Sequence, residues 1–196
     1  RIGPIFQVAT RRQGSFPERI NDVGVVKDLA THDIDITRWI TDSPYEQIFS
    51  QTASRSGRKH EDAVLTVGRL ADGTMVNHVV NWLSPMKERL TVVTGANGTL
   101  VADTLTGDLT LTENGAFLVD WQSFASFRGV TEGNMTRFAY PKTEPLIAEL
   151  QDFVNAVQGL PNEIVSFAEG VEVLRIAEAF VESATTRKAV GLRRHS

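Results

Sequence analysis

The sequence predicts an α+β fold in which a mostly antiparallel open sheet is covered by helices on one face. Short strand-like segments fill the middle of the chain, and amphipathic helical patterns fill its last third. The links between the strand-like segments include two-residue turns, which join antiparallel neighbours. A block of strands followed by a block of helices is typical of α+β domains. We expect a single domain, because 196 residues supply one sizeable core.

The first predicted strand covers residues 2–10, where apolar and polar side chains alternate, and residues 11–26 read as a loop rich in Gly, Pro and Asn. An amphipathic helix begins near Asp28, because apolar residues then recur at helical spacing. The run that reaches Pro44 ends this helix, since proline cannot continue it. The helix therefore separates the first strand from the remaining strands.

Seven further strand-like segments follow in the middle of the chain, many of them rich in β-branched residues. They cover residues 45–53, 63–70, 74–83, 89–94, 99–102, 109–112 and 116–119. Asp72-Gly73 and Asn114-Gly115 predict two-residue hairpin turns, and residues 96–98 predict a further turn. Such short links predict antiparallel pairing between the strands that they join.

The last third of the chain changes to a helical period. Pro145 opens one helix, whose apolar residues recur every three or four positions. Ser166 and Glu169 have the spacing of a capping box, which opens a second helix. The residues of this second helix that are predicted to face the core are Val173, Ile176, Ala177 and Phe180.

Two further segments complete the predicted sheet. Residues 121–140 are aromatic and aperiodic, so they read as a long loop with one strand near 135–139. Residues 189–192 read as a short final strand. The segment 74–83 is apolar on both of its faces, so we expect the uncovered face of the sheet to form a homo-oligomer. A sheet covered on both faces within the chain is the alternative.

Composition disfavours several classes of function. The formal net charge is −4, which provides no basic field for nucleic acid or an anionic membrane surface. Cysteine is absent, which removes disulfides and thiolate chemistry and favours a cytoplasmic protein. The sequence has no apolar run of membrane-spanning length, no glycine-rich phosphate-binding loop and no metal-ligand spacing among its histidines. The chain begins at Arg1 and reads directly into a strand, so we expect it to be part of a longer protein.

Acidic and imidazole side chains concentrate on the first predicted helix. At about 100° per residue, Asp28, His32 and Asp35 lie on one side of this helix, beside its apolar stripe. An imidazole held between carboxylates can take or give a proton near neutral pH. The alternative is that the carboxylates are solvated helix charges and His32 is an ordinary interfacial histidine. His32 is therefore a candidate acid or base.

An ordered set of motifs extends over the whole chain. It comprises Ile2-Gly3, residues 24–36 with Asp28 and His32, residues 71–73, Thr94-Gly95 with Gly98, Glu149-Leu150 with Phe153, Val165-Ser166 with Gly170, and Ala179 with Ser183. In these motifs the chain resembles the C-terminal domain of the Gfo/Idh/MocA oxidoreductase family, which includes glucose-fructose oxidoreductase and inositol dehydrogenases. The resemblance implies an α+β domain of the kind found at the C-terminus of dihydrodipicolinate reductase.

The resemblance further implies an NAD(P)-dependent oxidoreductase that acts on CH-OH groups. An N-terminal Rossmann domain outside this chain then holds NAD or NADP, and residues 1–196 form the single substrate-binding and oligomerisation domain. Asp28 and His32 match the family's catalytic pair, in which the histidine takes the hydroxyl proton as a hydride leaves the same carbon. The family's Glu-Lys-Pro segment with its catalytic lysine is absent from this chain, so we expect the isolated chain to bind no dinucleotide and to be inactive.

The implied substrate is a sugar, a nucleotide sugar or a cyclitol. The segment 81–85 and the lysine after it are similar to the branch of the family that acts on UDP-N-acetyl sugars. Trp82 or Trp39 is expected to stack on a sugar ring. The hydroxyls of that ring are expected to meet Asp28, Asp35 and His32. Arg11 and Arg12 are expected to meet a phosphate or carboxylate of the substrate. Burial of Trp82 as an ordinary strand residue is the alternative.

Two other classes of function stand as alternatives. A non-catalytic dimeric binding or assembly module of the same fold would use the sheet for association and carry the acidic and imidazole side chains as surface charges. A metal hydrolase would use the adjacent His32 and Asp33 as ligands, although the sequence offers no further ligands on helices. The expected cofactor is NAD or NADP, and no metal is expected.

Overall fold

The computed structural model describes residues 1–20, 22–115 and 131–192, which form a nine-stranded sheet and three α-helices. The strands are β1 (Ile5–Ser15), β2 (Tyr45–Ala53), β3 (Ala63–Leu70), β4 (Met75–Asn81), β5 (Leu83–Gly95), β6 (Gly98–Asp103), β7 (Asp108–Gly115), β8 (Thr131–Phe138) and β9 (Val190–Gly191). The α-helices are α1 (Thr31–Thr41), α2 (Pro145–Val157) and α3 (Phe167–Thr186). A π-helical turn, Val26–Ala30, leads directly into α1.

The strands are arranged in the order β8-β7-β6-β5-β1-β4-β3-β2-β9. In the middle of the sheet, β1 runs parallel to β4 and antiparallel to β5. The other pairs are antiparallel. The predicted α+β fold with a mostly antiparallel open sheet is therefore confirmed.

Local sequence signals placed several strands correctly. The strands predicted over 45–53 and 63–70 are confirmed without change. Asp72-Gly73 joins β3 to β4, and Gly73 has φ +91°, a conformation that glycine adopts without strain. The hairpin predicted at Asn114-Gly115 is wrong, because both residues lie within β7 and pair with β8. The strand predicted over 116–119 lies outside the described residues.

The first strand is longer than the sequence predicted. β1 continues to Ser15, so the prediction of a loop from residue 11 onward is wrong for 11–15. Residues 11–13 pair with β4 on one side and with β5 on the other, and Ser15 pairs with β5. Cross-strand bonds to two neighbours outweigh the local turn composition, because strand propensity depends on context. The extension carries Arg11 and Arg12 into the middle of the sheet.

The hydrophobic core lies between one face of the sheet and a layer formed by the π-helical turn, α1 and α3. The α3 residues predicted to face inward are all buried: Val173, Ile176, Ala177 and Phe180. The predicted capping box is also present, since Ser166 and Glu169 exchange hydrogen bonds between side chain and backbone at the start of α3. Each large apolar side chain buried here contributes about 1.5–3 kcal/mol, so this layer holds the π-helical turn firmly against the sheet.

The opposite face of the sheet is open within the described part of the chain. Phe49, Leu65, Val67 and Met75 are exposed on it. Phe49 pairs with Val67 across β2 and β3, and Arg69 pairs with Met75 across β3 and β4. We call these four apolar side chains the open-face patch. Among the described residues nothing covers it.

Helix α2 forms as predicted, but it contributes no side chain to the core of the described residues. Its apolar side chains are exposed, among them Leu150 and Phe153. Glu144 caps its first turn by accepting a hydrogen bond from the Ile147 amide at 2.9 Å. Within the described residues, no helix is both long and apolar enough to cross a membrane.

Candidate active site

The candidate acid and base lie where the π-helical turn becomes α1. Asp28 belongs to the π-helical turn and His32 to the first turn of α1. Glu61 holds the start of this segment, because its Oε1 accepts a hydrogen bond from the Val26 amide at 3.2 Å. Gly24 permits this contact, since a Cβ at that position would lie 2.0 Å from the Glu61 Oε1. Single π-helical turns are rare and are frequently found at functional sites.

His32 is exposed and has an environment that favours its neutral form. Partial burial of the imidazole is the first cause that lowers its pKa below 6.5, and the positive charge of Arg12 is the second. Asp33 and Asp28 oppose this effect, and Arg89 adds to it. At neutral pH the imidazole is therefore unprotonated, so it can accept a proton from a bound hydroxyl.

A buried ion pair lies beside His32. Arg12 donates a hydrogen bond through Nε to Oδ1 of Asp33 at 2.9 Å, and the two side chains are 14% and 3% exposed. Burial raises the pKa of Asp33, and Arg12 opposes that rise. Sequence reasoning did not assign this pairing. Strand alternation could have indicated it, because Arg12 is in phase with the buried residues Val8 and Thr10 of β1.

A cleft of about 350 Å³ opens next to Asp28, and we call it the basic cleft. The charged and aromatic side chains that line it include Arg12, Arg19, Asp28, Trp82, Lys87 and Arg89. Four of these are cationic and one is anionic. The structure thus brings Asp28, Arg12 and Trp82 together from three separate parts of the chain, and adds basic residues that sequence reasoning missed.

The structure places Trp82 in the wall of the basic cleft and Arg11 outside this cleft. Trp82 is 5% exposed, packs edge-on against Phe16 with ring centroids 5.1 Å apart, and forms part of the cleft wall. It therefore resembles the alternative of a buried residue, although its indole Nε1 has no hydrogen-bond partner in the described part of the chain. Arg11 points to the open face of the sheet, where its Nη1 lies 3.8 Å from Oε2 of Glu88. Alternation along β1 places Arg12, not Arg11, near His32.

Asp35 lines a second cleft of about 290 Å³ on the other side of α1, with Arg38 and Trp39. Burial is the main cause that raises the pKa of Asp35. The structure does not bring Asp35 into the basic cleft with Asp28. Alignment on one side of a helix does not bring them together, because residues seven positions apart are separated by about 10 Å along a helix axis.

A chain of buried polar groups lies in the core beneath this region. His78 is fully buried, and its Nδ1 and Nε2 each lie 2.8 Å from a hydroxyl, Thr10 Oγ1 and Tyr45 Oη respectively. Burial lowers the pKa of His78 to about 4. Its ring stacks on Phe180 with centroids 5.9 Å apart. Sequence reasoning missed this network, although His78 is in phase with Val76 and Val80 on the covered face of β4.

Comparison with known proteins relates the chain to one family. The GFO/IDH/MocA C-terminal domain family matches residues 1–101, which contain the π-helical turn, α1 and the first five strands. Among curated proteins, the chain is similar to the inositol 2-dehydrogenase of Agrobacterium fabrum, with 33% identity over 81 residues. That similarity covers 39% of this chain and 24% of the relative.

Several solved structures share the fold. The UDP-N-acetylglucosamine 3-dehydrogenase of Acidithiobacillus ferrooxidans superposes with a TM-score of 0.78 at 21% identity, over 94% of this chain and 56% of that one. Levoglucosan dehydrogenase superposes with a TM-score of 0.76 at 19% identity, over 100% and 61% of the two chains. The WlbA dehydrogenase of Bordetella pertussis, solved with NADH and UDP-GlcNAcA, gives a TM-score of 0.68 at 19% identity, over 99% and 56%. The chain therefore spans somewhat more than half the length of these structures.

Proposed function

The chain belongs to the GFO/IDH/MocA C-terminal domain family, and on this premise we propose that it is the substrate-binding and oligomerisation domain of an NAD(P)-dependent oxidoreductase. The proposed reaction transfers a hydride between nicotinamide and the hydroxyl-bearing carbon of a sugar, nucleotide sugar or cyclitol. The observation that carries this proposal is His32, an exposed imidazole one helical turn after Asp28, which lines the basic cleft. The relatives named above, which are dehydrogenases of inositol, levoglucosan and a UDP-sugar, support the substrate class.

In the proposed mechanism His32 is the base and Asp28 is its partner. His32 takes the proton of the substrate hydroxyl, and its lowered pKa favours the neutral imidazole that this step requires at the start. The negative charge of Asp28 then stabilises the imidazolium that forms, since it acts in the opposite direction to Arg12 and Arg89 on the same ring. When bound, the nicotinamide supplies the hydride acceptor.

The residues of this chain fit the substrate side of such a site. Binding of a dinucleotide pyrophosphate at a Rossmann fold uses a glycine-rich turn between a strand and a helix. In residues 1–20, 22–115 and 131–192 no such glycine-rich turn connects a strand to a helix. We propose that an N-terminal Rossmann domain of the full-length protein holds NAD or NADP. The exposed apolar side chains of α2 support a further covering element, because apolar faces of this kind are usually buried.

Oligomerisation is proposed to use the open face of the sheet. The four side chains of the open-face patch are each at least 37% exposed, and three of them exceed 50%. A two-fold dimer would bury this patch against itself, because the same surface is present on both subunits. Burial of apolar surface contributes about 25 cal/mol per Å², which makes association through this face favourable.

The test of the proposed base uses the full-length protein and the variant His32→Gln. Removing a general base lowers kcat by about 10²–10⁴-fold, while the affinity for NADH or NADPH is expected to stay the same. In the wild type, kcat/KM falls as pH drops below the pKa of His32, because protonation blocks the base; this acidic limb is expected to be absent from the variant. His60→Gln, at a half-buried histidine outside the basic cleft, is the matched control and is expected to keep full turnover.

A second candidate function is a non-catalytic dimeric assembly module, which the open-face patch favours. Normal turnover in a folded His32→Gln protein would support this module and contradict the proposed base. For a metal hydrolase, the described residues contain no group of three His, Cys, Asp or Glu side chains that could hold a metal ion. Elemental analysis of the purified protein tests that third class directly, because a metal hydrolase would contain one or more divalent ions per chain.

A further inference from the structure

The two arginines of the basic cleft face each other across neighbouring strands. Arg12 on β1 and Arg89 on β5 are partners in the antiparallel register. Side chains at directly opposed positions have Cβ atoms about 4.5–5.5 Å apart, and like charges placed there destabilise a sheet. A pair of guanidinium groups at such a position therefore requires negative charge nearby.

Within the described part of the chain, Arg12 has a carboxylate partner and Arg89 has none. Arg12 is paired with Asp33 at 2.9 Å. Arg89 is half-buried, yet among the described residues its guanidinium takes part in no hydrogen bond or ion pair. Taking a charged group partly out of water without a partner is unfavourable. The cleft thus contains a guanidinium whose hydrogen-bond donors are directed to no acceptor of the described chain.

The other groups of the cleft increase this positive charge. Lys87 lies two residues before Arg89 on β5, and Arg19 lies in the segment after β1; both line the cleft and have no ion-pair partner in the described part of the chain. Asp28 is the one carboxylate among the lining residues that belong to the described part of the chain. A guanidinium with a free fork of donors binds a carboxylate or a phosphate through two parallel hydrogen bonds.

We propose that Arg89, with Arg12 beside it, binds an oxyanion that is attached to the sugar substrate. This inference rests on the proposed function, and it selects among the proposed substrates those that carry a carboxylate or a phosphate. The oxyanion would lie in the cleft that Asp28 also lines, because Arg12, Asp28 and Arg89 are all lining residues of it. Neutral sugars and cyclitols then lack the group that neutralises the cleft.

The test measures ligand binding by titration calorimetry on the full-length protein, so that it does not depend on turnover. The probes are glucose, glucuronate, glucose 1-phosphate and UDP-glucose, which share a hexose ring and differ in their anionic group. We expect binding of at least one oxyanion-bearing probe, with glucose bound at least 10-fold more weakly. Comparison of glucuronate with the two phosphates identifies which oxyanion the cleft prefers.

Variants of Arg89 then assign the effect to this side chain. Arg89→Gln is expected to weaken binding of the preferred anionic probe by about 10- to 100-fold, which is the range for loss of a charge-assisted hydrogen bond. The affinity of the same variant for glucose is expected to stay within about twofold of the wild-type value. Arg89→Lys retains the charge without the fork, so an intermediate loss is expected. Arg55→Gln, at an exposed arginine that does not line the cleft, is the matched control and is expected to bind like the wild type.

Three results would overturn the inference. They are equal or tighter binding of glucose by the wild type, absence of binding by all three anionic probes at millimolar concentration, and an equal loss for neutral and anionic probes in Arg89→Gln. The first two need no variant, so they apply even when a substitution prevents folding. If His32→Gln loses turnover but the wild type shows no preference for anionic probes, the anion site alone is contradicted. If the wild type prefers anionic probes but His32→Gln keeps normal turnover, the proposed base alone is contradicted.

Discussion

The stability of this protein is expected to fall in mild acid because of one buried histidine. His78 is fully buried between the hydroxyls of Thr10 and Tyr45, and burial lowers its pKa from 6.5 to about 4. The unfolded chain therefore binds a proton at this site between pH 6.5 and about 4, and the folded chain does not. The stabilisation is fully present above pH 6.5 and is lost as pH falls towards 4.

The size of this effect follows from the two pKa values. One pKa unit corresponds to about 1.4 kcal/mol, so lowering the pKa from 6.5 to about 4 amounts to about 3 kcal/mol of unfolding free energy. That is about one fifth to three fifths of the roughly 5–15 kcal/mol that is typical of a folded domain. The assay is urea unfolding followed by circular dichroism at several pH values between 4 and 7.

Two variants isolate the contribution of His78 from that of other titrating groups. His78→Gln cannot titrate, so its free energy of unfolding is expected to depend less on pH than that of the wild type, by about 3 kcal/mol across this range. Val80→Ala is the matched control, because Val80 is also fully buried on the same face of β4. It is expected to lower stability by a similar amount at every pH. A wild-type pH dependence in His78→Gln would refute this reasoning.

Two further outcomes are expected. Ser166→Ala removes the side-chain oxygen that accepts a hydrogen bond from the Glu169 amide at 3.2 Å. The free energy of unfolding, measured by urea titration, should therefore fall by about 1 kcal/mol. Ser166→Thr retains the cap, so an equal loss in both variants would contradict this assignment. Val67→Glu places a charge in the open-face patch, so sedimentation should show a smaller oligomer than for the wild type. Leu105→Glu is the control, at an exposed turn between β6 and β7, and it should not change the size of the oligomer. An unchanged oligomer in Val67→Glu would exclude this face as the interface.

Much of the fold was predictable because its signals are local. The alternation of 45–53 and 63–70 defined β2 and β3, and the spacing of Ser166 and Glu169 defined the start of α3. The prediction at Asn114-Gly115 failed because a dipeptide that favours a turn was overridden by pairing with β8. The apolar period of α2 predicted a helix correctly, but it did not predict whether that helix would be buried.

The candidate site was predictable only in part. Asp28 and His32 are four residues apart, and the sequence placed them next to each other on consecutive turns. Arg11 and Arg12 could not be distinguished before β1 was known to extend through both, because its alternation sends them to opposite faces. Asp35 was assigned to the same side as Asp28, and the structure places the two side chains in different clefts.

By itself, the sequence determined the fold class, the helices and most strands, and it placed Asp28 and His32 on consecutive helical turns, since each depends on periodicity over a few neighbouring residues. The tertiary structure alone decided which side chains meet: Arg12 with Asp33, Arg12 opposite Arg89, and Thr10 with His78. The residues of each pair are 21 to 77 positions apart in the sequence. Such contacts depend on strand register and on how helices pack over the sheet, and no local pattern contains that information.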